Sequence, residues 1–212
     1  MAKKPARPKK SAKAGTLDPI LAAALALAAD RDWREIGLAD IAGAANIGLA
    51  DLLGQYPSKL ALLDGIGRGV DMLVLADFEP DSESESARDR LFDVLMRRFD
   101  VLDAYKAAIG RISSAACRDP LIGMAAGAGL LRSMGLMLEA AGIGSNGLRG
   151  MVRRKGLAAI YGATLRDWLK DDTADKSRTM AALDGRLRRA EAWANSLNSM
   201  PFGRPPAASS ET

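Results

Sequence analysis

From Asp18 to Leu63 the chain reads DPILAAALALAADRDWREIGLADIAGAANIGLADLLGQYPSKLALL, and its punctuation calls for three short helices feeding a longer one. Asp18 before Pro19 is a helix start: the carboxylate can accept from first-turn amides, and proline at the first helical position forfeits no hydrogen bond. Ile20, Leu21, Ala24, Leu25, Leu27 and Ala28 then form one apolar face that ends near Asp30. Gly37 opens a second helix, Leu38 to Ala44, and residues 46–48 make a tight turn into a third, Leu49 to Gln55. Pro57 forces a break, Ser58 caps, and a fourth helix runs from Lys59 to about Phe78.

The remaining chain keeps the helical period. EPDSESES, residues 79–86, reads as a loop, after which Leu91, Phe92, Leu95 and Phe99 recur at helical spacing. A sixth helix is expected from about Asp103 to Ala116, and Asp119 with Pro120 repeats the cap signal and starts a seventh. An eighth spans roughly Leu148 to Leu169. The last carries a narrow seam of Met180, Leu183, Leu187, Ala190, Ala194 and Leu197 that calls for another helix beside it. No alternating strand pattern bounded by turns occurs, so the expected class is all-α with about nine helices. The expected organisation is a disordered basic arm (1–16), a helix-turn-helix-like domain (17–64), a helical ligand-binding and dimerisation domain (65–197) and a disordered tail (198–212).

Charge separates these parts. The whole chain is +4 with pI about 9.3, but residues 1–17 hold six basic residues (Lys3, Lys4, Arg7, Lys9, Lys10, Lys13) and no acid. Residues 18–64 carry three cations, Arg31, Arg34 and Lys59, against seven acids, Asp18, Asp30, Asp32, Glu35, Asp40, Asp51 and Asp64. A unit of that sign is poorly suited to a polyanion. Residues 146–197 reverse the balance, with eleven basic and six acidic residues. There the clusters Arg153, Arg154, Lys155 and Arg186, Arg188, Arg189 suit either a solvated face or lipid headgroups.

Composition excludes several chemistries. Without histidine there is no imidazole base and no zinc site of the usual kind, so neither metal nor cofactor is expected. Cys117 is the single cysteine, which rules out an internal disulfide, and it reads as a core residue. Asp171 with Asp172 and Asp100 with Asp103 read as surface charges rather than acid/base pairs, and no catalytic residue is assigned. No apolar run of roughly 18 residues appears long enough to span a bilayer, and the charged N-terminus is not followed by a signal-peptide core, which together predict a cytoplasmic protein.

The seventh helix, PLIGMAAGAGLLRSMGLMLEAAG, holds Gly123, Gly127, Gly129 and Gly135 with Met124, Met134 and Met137. Each interior glycine costs about 1 kcal/mol relative to alanine, so four together imply close approach or open space beside the backbone. Methionine supplies adaptable apolar lining. Two readings follow, the wall of a pocket for a long apolar ligand or a tight packing or dimer face. The lining candidates are Leu130, Leu131, Met134 and Met137, with Tyr161 and Trp168 from the eighth helix.

LADIAGAANI followed by YPSKLALL resembles the DNA-binding domain of TetR-family transcriptional regulators. That resemblance implies a recognition helix at Leu49–Gln55, with Tyr56, Ser58 and Lys59 at the phosphate-contacting motif and Gln55 able to reach a base edge. Leu53 stands where the family has its aromatic contact, and Asp51 would face the polyanion.

Residues 149–193 resemble a second family, the ubiquinone-biosynthesis accessory proteins that combine a TetR-like fold with lipid binding. The likeness is carried by Arg153 and Arg154, LAAIY at 157–161, Thr164, Asp171 to Asp175 in a D-x-T-x-D pattern, Thr179, and the Leu183, Arg186, Ala190 register. It implies a non-catalytic homodimer that holds isoprenoid-type or quinone-like lipid and presents it to a membrane-bound hydroxylase, peripheral at the inner face of the membrane. The alternative is a DNA-binding repressor that responds to an apolar ligand.

Overall fold

The computed structural model describes residues 16–76, 78 and 86–199, so residues 1–15 of the expected basic arm, 79–85 of the expected loop and 200–212 of the expected tail lie outside the described residues. Among those described there are nine helices and no strand: α1 (Pro19–Asp30), α2 (Leu38–Ala44), α3 (Leu49–Gln55), α4 (Lys59–Leu75), α5 (Ala87–Asp103), α6 (Lys106–Arg118), α7 (Pro120–Ala140), α8 (Gly147–Leu169) and α9 (Ser177–Ser199). The capping signals act as expected. Asp18 Oδ1 accepts from the Ile20 amide at 2.8 Å, Ser58 Oγ from Ala61 at 3.1 Å and Asp119 Oδ1 from Leu121 at 2.9 Å. In α2, Asp40 reaches back to the Gly37 amide at 2.8 Å, satisfying one of the orphan donors at that terminus.

Two helix ends differ from expectation. α4 stops at Leu75 instead of near Phe78, because the Phe78 amide turns back to the Leu75 carbonyl at 3.3 Å ahead of the acidic, proline-containing stretch. α6 begins at Lys106 rather than near Asp103, since α5 continues to Asp103 and Ala104–Tyr105 form the corner.

The described residues form two compact units, divided between Ala158 and Ala159. In the first, α1 lies against α6 and α2, and α7 packs on α4, α5 and α6. One core joins Leu21, Leu25 and Trp33 to Ile41, Leu52 and Leu62, and then to Ala108, Ile112 and Ala115 of α6. Two of the α7 glycines serve close approach. A Cβ on Gly123 would sit 2.7 Å from the Ala116 carbonyl oxygen, and one on Gly135 would meet the Arg154 stem at 3.0 Å. Gly127 and Gly129 have open space, with nothing nearer than 4.0 Å.

The expectation that no segment is apolar enough to span a bilayer needs correction. By length and composition α7 is apolar enough to cross a membrane, because Arg132 and Glu139 are the only charges among its 21 residues. Here it is a helix of the bundle, with Arg132 paired to Asp64 of α4.

The second unit holds the later part of α8 and α9. Tyr161, Thr164 and Trp168 are buried on one face of α8, and Thr179, Leu183 and Leu187 on α9. The α9 seam thins toward its end: Met180 and Ala190 are half-buried, Ala194 is exposed, and the Leu197 side chain lies outside the described set.

Candidate functional site

The helix-turn-helix surface is built from α2 and α3. Only Leu52 of α3 is buried, which leaves Leu49, Ala50, Asp51, Leu53, Gly54 and Gln55 facing outward. The exposed face is therefore apolar and acidic, with Gln55 as its base-reading candidate. Lys59 is turned inward. Its Nζ donates to the Trp33 carbonyl at 2.5 Å and the Arg34 carbonyl at 3.3 Å, and stands 5.3 Å from the centroid of the Trp33 ring. Burial pushes its pKa down from the usual lysine value.

Ser58 is occupied as the α4 cap, and the Tyr56 ring lies against α4 where a Cβ at Gly65 would be 2.6 Å from Cε1. Partial burial raises the Tyr56 pKa. Of the four residues expected at DNA, Gln55 alone is both exposed and without a structural task among the described residues.

The acids of this unit are largely engaged. Asp32 holds Arg34 at 3.0 Å and faces Arg118 at 3.6 Å, and its hydrogen bonds from the Arg34 side chain and amide hold its carboxyl down at about 2. Asp40 caps α2 and pairs with Arg31 at 3.4 Å.

The pocket candidates divide between the two units. Leu130 and Leu131 are half-buried and Met134 and Met137 fully buried on α7, while Tyr161 and Trp168 are buried on α8 in the second unit. Beside the α7 set lies a polar core that the pattern of apolar positions did not disclose. Asp71 of α4, Arg98 of α5 and Ser133 of α7 are 2%, 6% and 1% exposed. Arg98 Nη1 and Ser133 Oγ both donate to Asp71 Oδ1. Seven residues earlier on α4, Asp64 accepts from Arg132 Nη1 of α7 and also pairs with Arg68. The signal available was Asp71 itself, set beside Ile66, Val70 and Val74 in an otherwise apolar stretch. An acid at such a position is rarely buried without partners.

In the second unit the residues that carry the C-terminal likeness form a clasp. Asp171, 2% exposed, accepts through Oδ1 from Thr173 Oγ1 at 2.6 Å and the Thr173 amide at 3.2 Å. Its Oδ2 accepts from the Thr179 amide at 2.8 Å and Oγ1 at 2.7 Å. These bonds hold the Asp171 carboxyl far below the usual range and fasten the start of α9. Arg186 of α9 donates to Asp167 at 2.6 Å and to Thr164 Oγ1 at 3.4 Å. The two arginine clusters are thus split. Arg186 points inward, Arg188 pairs with Asp184 at 3.0 Å, Arg154 lies over Gly135, and Arg153, Lys155 and Arg189 are exposed.

The other candidates carry no site. Cys117 is exposed on α6, which corrects the expectation of a core residue: it falls on the turn before Asp119, outside the face that buries Ile112 and Ala115. Asp172 is exposed beside the capping Asp171, so the two share no environment that would make an acid/base pair. In the GIGSNG loop, Gly142 and Gly147 take φ of 75° and 70°, and Ser145 donates to Glu139 at 3.0 Å, lowering the Glu139 pKa. Among the described residues no cluster of metal-ligating side chains occurs. A cleft of about 180 Å³ between α1 and α6 is lined by alanines, Leu25 and Tyr105. That is below the roughly 300–1,000 Å³ of ordinary ligand sites.

This arrangement, a short helix-turn-helix unit leading through α4 into a helical bundle, is the all-α TetR-like fold. It superposes on a TetR transcriptional regulator from Nitrosomonas europaea ATCC 19718 with a TM-score of 0.66 and 23% identity, over 82% of this chain and 97% of that one. A TetR transcriptional regulator from Rhodococcus sp. RHA1 gives 0.57 and 19%, over 87% and 96%. At these identities the likeness is one of fold. The COQ9 family model, that of the ubiquinone-biosynthesis proteins, matches residues 125–194, which takes in most of α7, all of α8 and most of α9. No curated protein matches the chain.

Proposed function

We propose that this chain is a non-catalytic lipid-binding accessory protein of ubiquinone biosynthesis, holding an isoprenoid-type or quinone-like lipid along α7 and presenting it to a membrane-associated hydroxylase. The observation that carries the reading is the COQ9 match over residues 125–194. The helix-turn-helix supports it: α3 offers leucines and an aspartate where phosphates would lie, and Lys59 is engaged by backbone carbonyls. On this reading Leu130, Leu131, Met134 and Met137 line the lipid chain within the first unit. The protein works as a homodimer, with exposed Leu148, Met151, Val152 and Trp193 available to a second copy, in the cytoplasm at the inner face of the membrane.

The test is organic extraction of the purified full-length protein followed by mass spectrometry. Stoichiometric isoprenoid lipid that Leu131→Trp displaces supports the reading; lipid-free protein unchanged by Leu131→Trp ends it. The second reading, a ligand-responsive repressor, is favoured by one observation, the exposed Gln55 at the end of α3. Selection of genomic fragments at about 150 mM salt decides it, since salt at that level suppresses purely electrostatic binding. A two-fold symmetric site that Gln55→Ala weakens would make the protein a regulator.

A further inference from the structure

The Asp71 carboxylate is unevenly used. Both donors that reach it, Arg98 Nη1 and Ser133 Oγ, converge on Oδ1, and Oδ2 is buried with no hydrogen-bond partner among the described residues. A carboxylate has about four lone-pair sites, and buried polar atoms in folded proteins nearly always find partners. Arg132, next to Ser133 on α7, repeats the pattern at Asp64, seven residues before Asp71 on α4, with Nη1 on Asp64 and Nε and Nη2 buried without a partner among the described residues. The flanking backbone is glycine: a Cβ at Gly67 would come 3.8 Å from Arg132 Nη2, and one at Gly129 would come 4.0 Å from Asp64 Oδ1. Arg132 and Ser133 stand between Leu131 and Met134 on α7, so polar and apolar lining candidates share one turn.

We propose that Asp71 Oδ2 is the anchor for a hydroxyl on the head of an amphipathic ligand whose apolar tail runs along α7. This deepens the lipid reading and rests on it. A carboxylate only accepts, so the group that completes Oδ2 must donate, which selects an alcohol or phenol over an ether or a bare hydrocarbon. A cationic head is disfavoured, because the Arg98 cation already stands on Asp71.

The experiment uses the full chain and three probes of nearly equal shape: 4-decylphenol, 4-decylanisole and decylbenzene, titrated by calorimetry. The wild type is expected to bind the phenol about 10-fold more tightly than either of the others, the size of one good hydrogen bond. Asp71→Asn places an amide N–H at the Oδ2 position if Oδ1 keeps its two donors. The phenol preference should then disappear and the anisole gain. Equal affinity of the wild type for all three probes overturns the anchor and leaves the lipid reading standing; failure to bind any of them overturns the lipid reading and the anchor with it. The wild-type comparison decides even if the variant does not fold.

Discussion

Two buried aspartates, one in each unit, look alike by burial and differ in how completely they are used. Asp171 and Asp71 are both 2% exposed. Asp171 has both oxygens occupied, by the side chains and amides of Thr173 and Thr179, all within eight residues of it. It is a finished structural element, and the family likeness at 171–179 reads as the grammar of a helix junction. Asp71 gathers its partners across 27 and 62 residues of chain and leaves one oxygen over. The contrast separates a motif whose polar atoms satisfy one another from an isolated acid that keeps one acceptor open.

Breaking the Asp71 side of this comparison should have the largest effect. Arg98→Met leaves a buried carboxylate without its cation, and the expected loss is about 3–5 kcal/mol in denaturant unfolding. The double variant Arg98→Met with Asp71→Leu should recover most of it, since removing both charges abolishes the unpaired one. A double variant no better than the single would mean the pair matters for shape rather than charge.

Asp171→Asn should cost less and depend on pH in a set direction. The Asp171 pKa is depressed in the folded state, so its contribution is fully present above the unfolded carboxylate value near 4 and is lost as pH falls below that. The stability gap between wild type and Asp171→Asn is therefore widest at pH 6–7, begins to narrow as pH falls below about 4 and closes only as pH falls through the depressed folded value. Amides at the start of α9 should exchange faster in the variant, and a pH-independent gap would remove the carboxylate from the account.

Local chemistry explains which parts were legible in sequence. Caps such as Asp18, Ser58 and Asp119 act within a few residues of themselves, and all three do what their positions imply. The α3 span and its unfavourable charge were equally local. Asp71, Arg98 and Ser133 were not legible, because three single polar residues on three helices share no spacing that a period could reveal. Lys59 was hidden for a different reason. Its partners are backbone carbonyls 26 and 25 residues away, which no side-chain pattern marks. The fate of Cys117 turned on its helical phase at the very end of α6, where one residue of drift exchanges core for solvent.

The helix-turn-helix supplies a smaller test of the same contrast between occupied and available groups. Lys59→Met removes the charge that two carbonyls share and its stacking on Trp33. The expected cost is about 1–2 kcal/mol, with the α1–α2 linker amides losing exchange protection. If stability were unchanged, the inward hydrogen bonds would be dispensable and Lys59 free to swing out to phosphate.

Gln55→Ala should have the smallest effect of all on folding, within about 0.5 kcal/mol, because the side chain is exposed and no hydrogen bond to it is part of the fold. That makes it the cleanest probe of the surface. A variant of unchanged stability that also leaves the weak, sequence-blind attraction to duplex DNA untouched would agree with an α3 face that reads nothing. Under those conditions any attraction would come from the cations of residues 1–13, and deleting them should abolish it with a strong dependence on salt. A sequence-selective affinity that falls 5-fold or more in Gln55→Ala would invert the comparison. The exposed, unused glutamine would then be the functional group of the first unit, and the open oxygen of Asp71 would be the site of an effector that controls it.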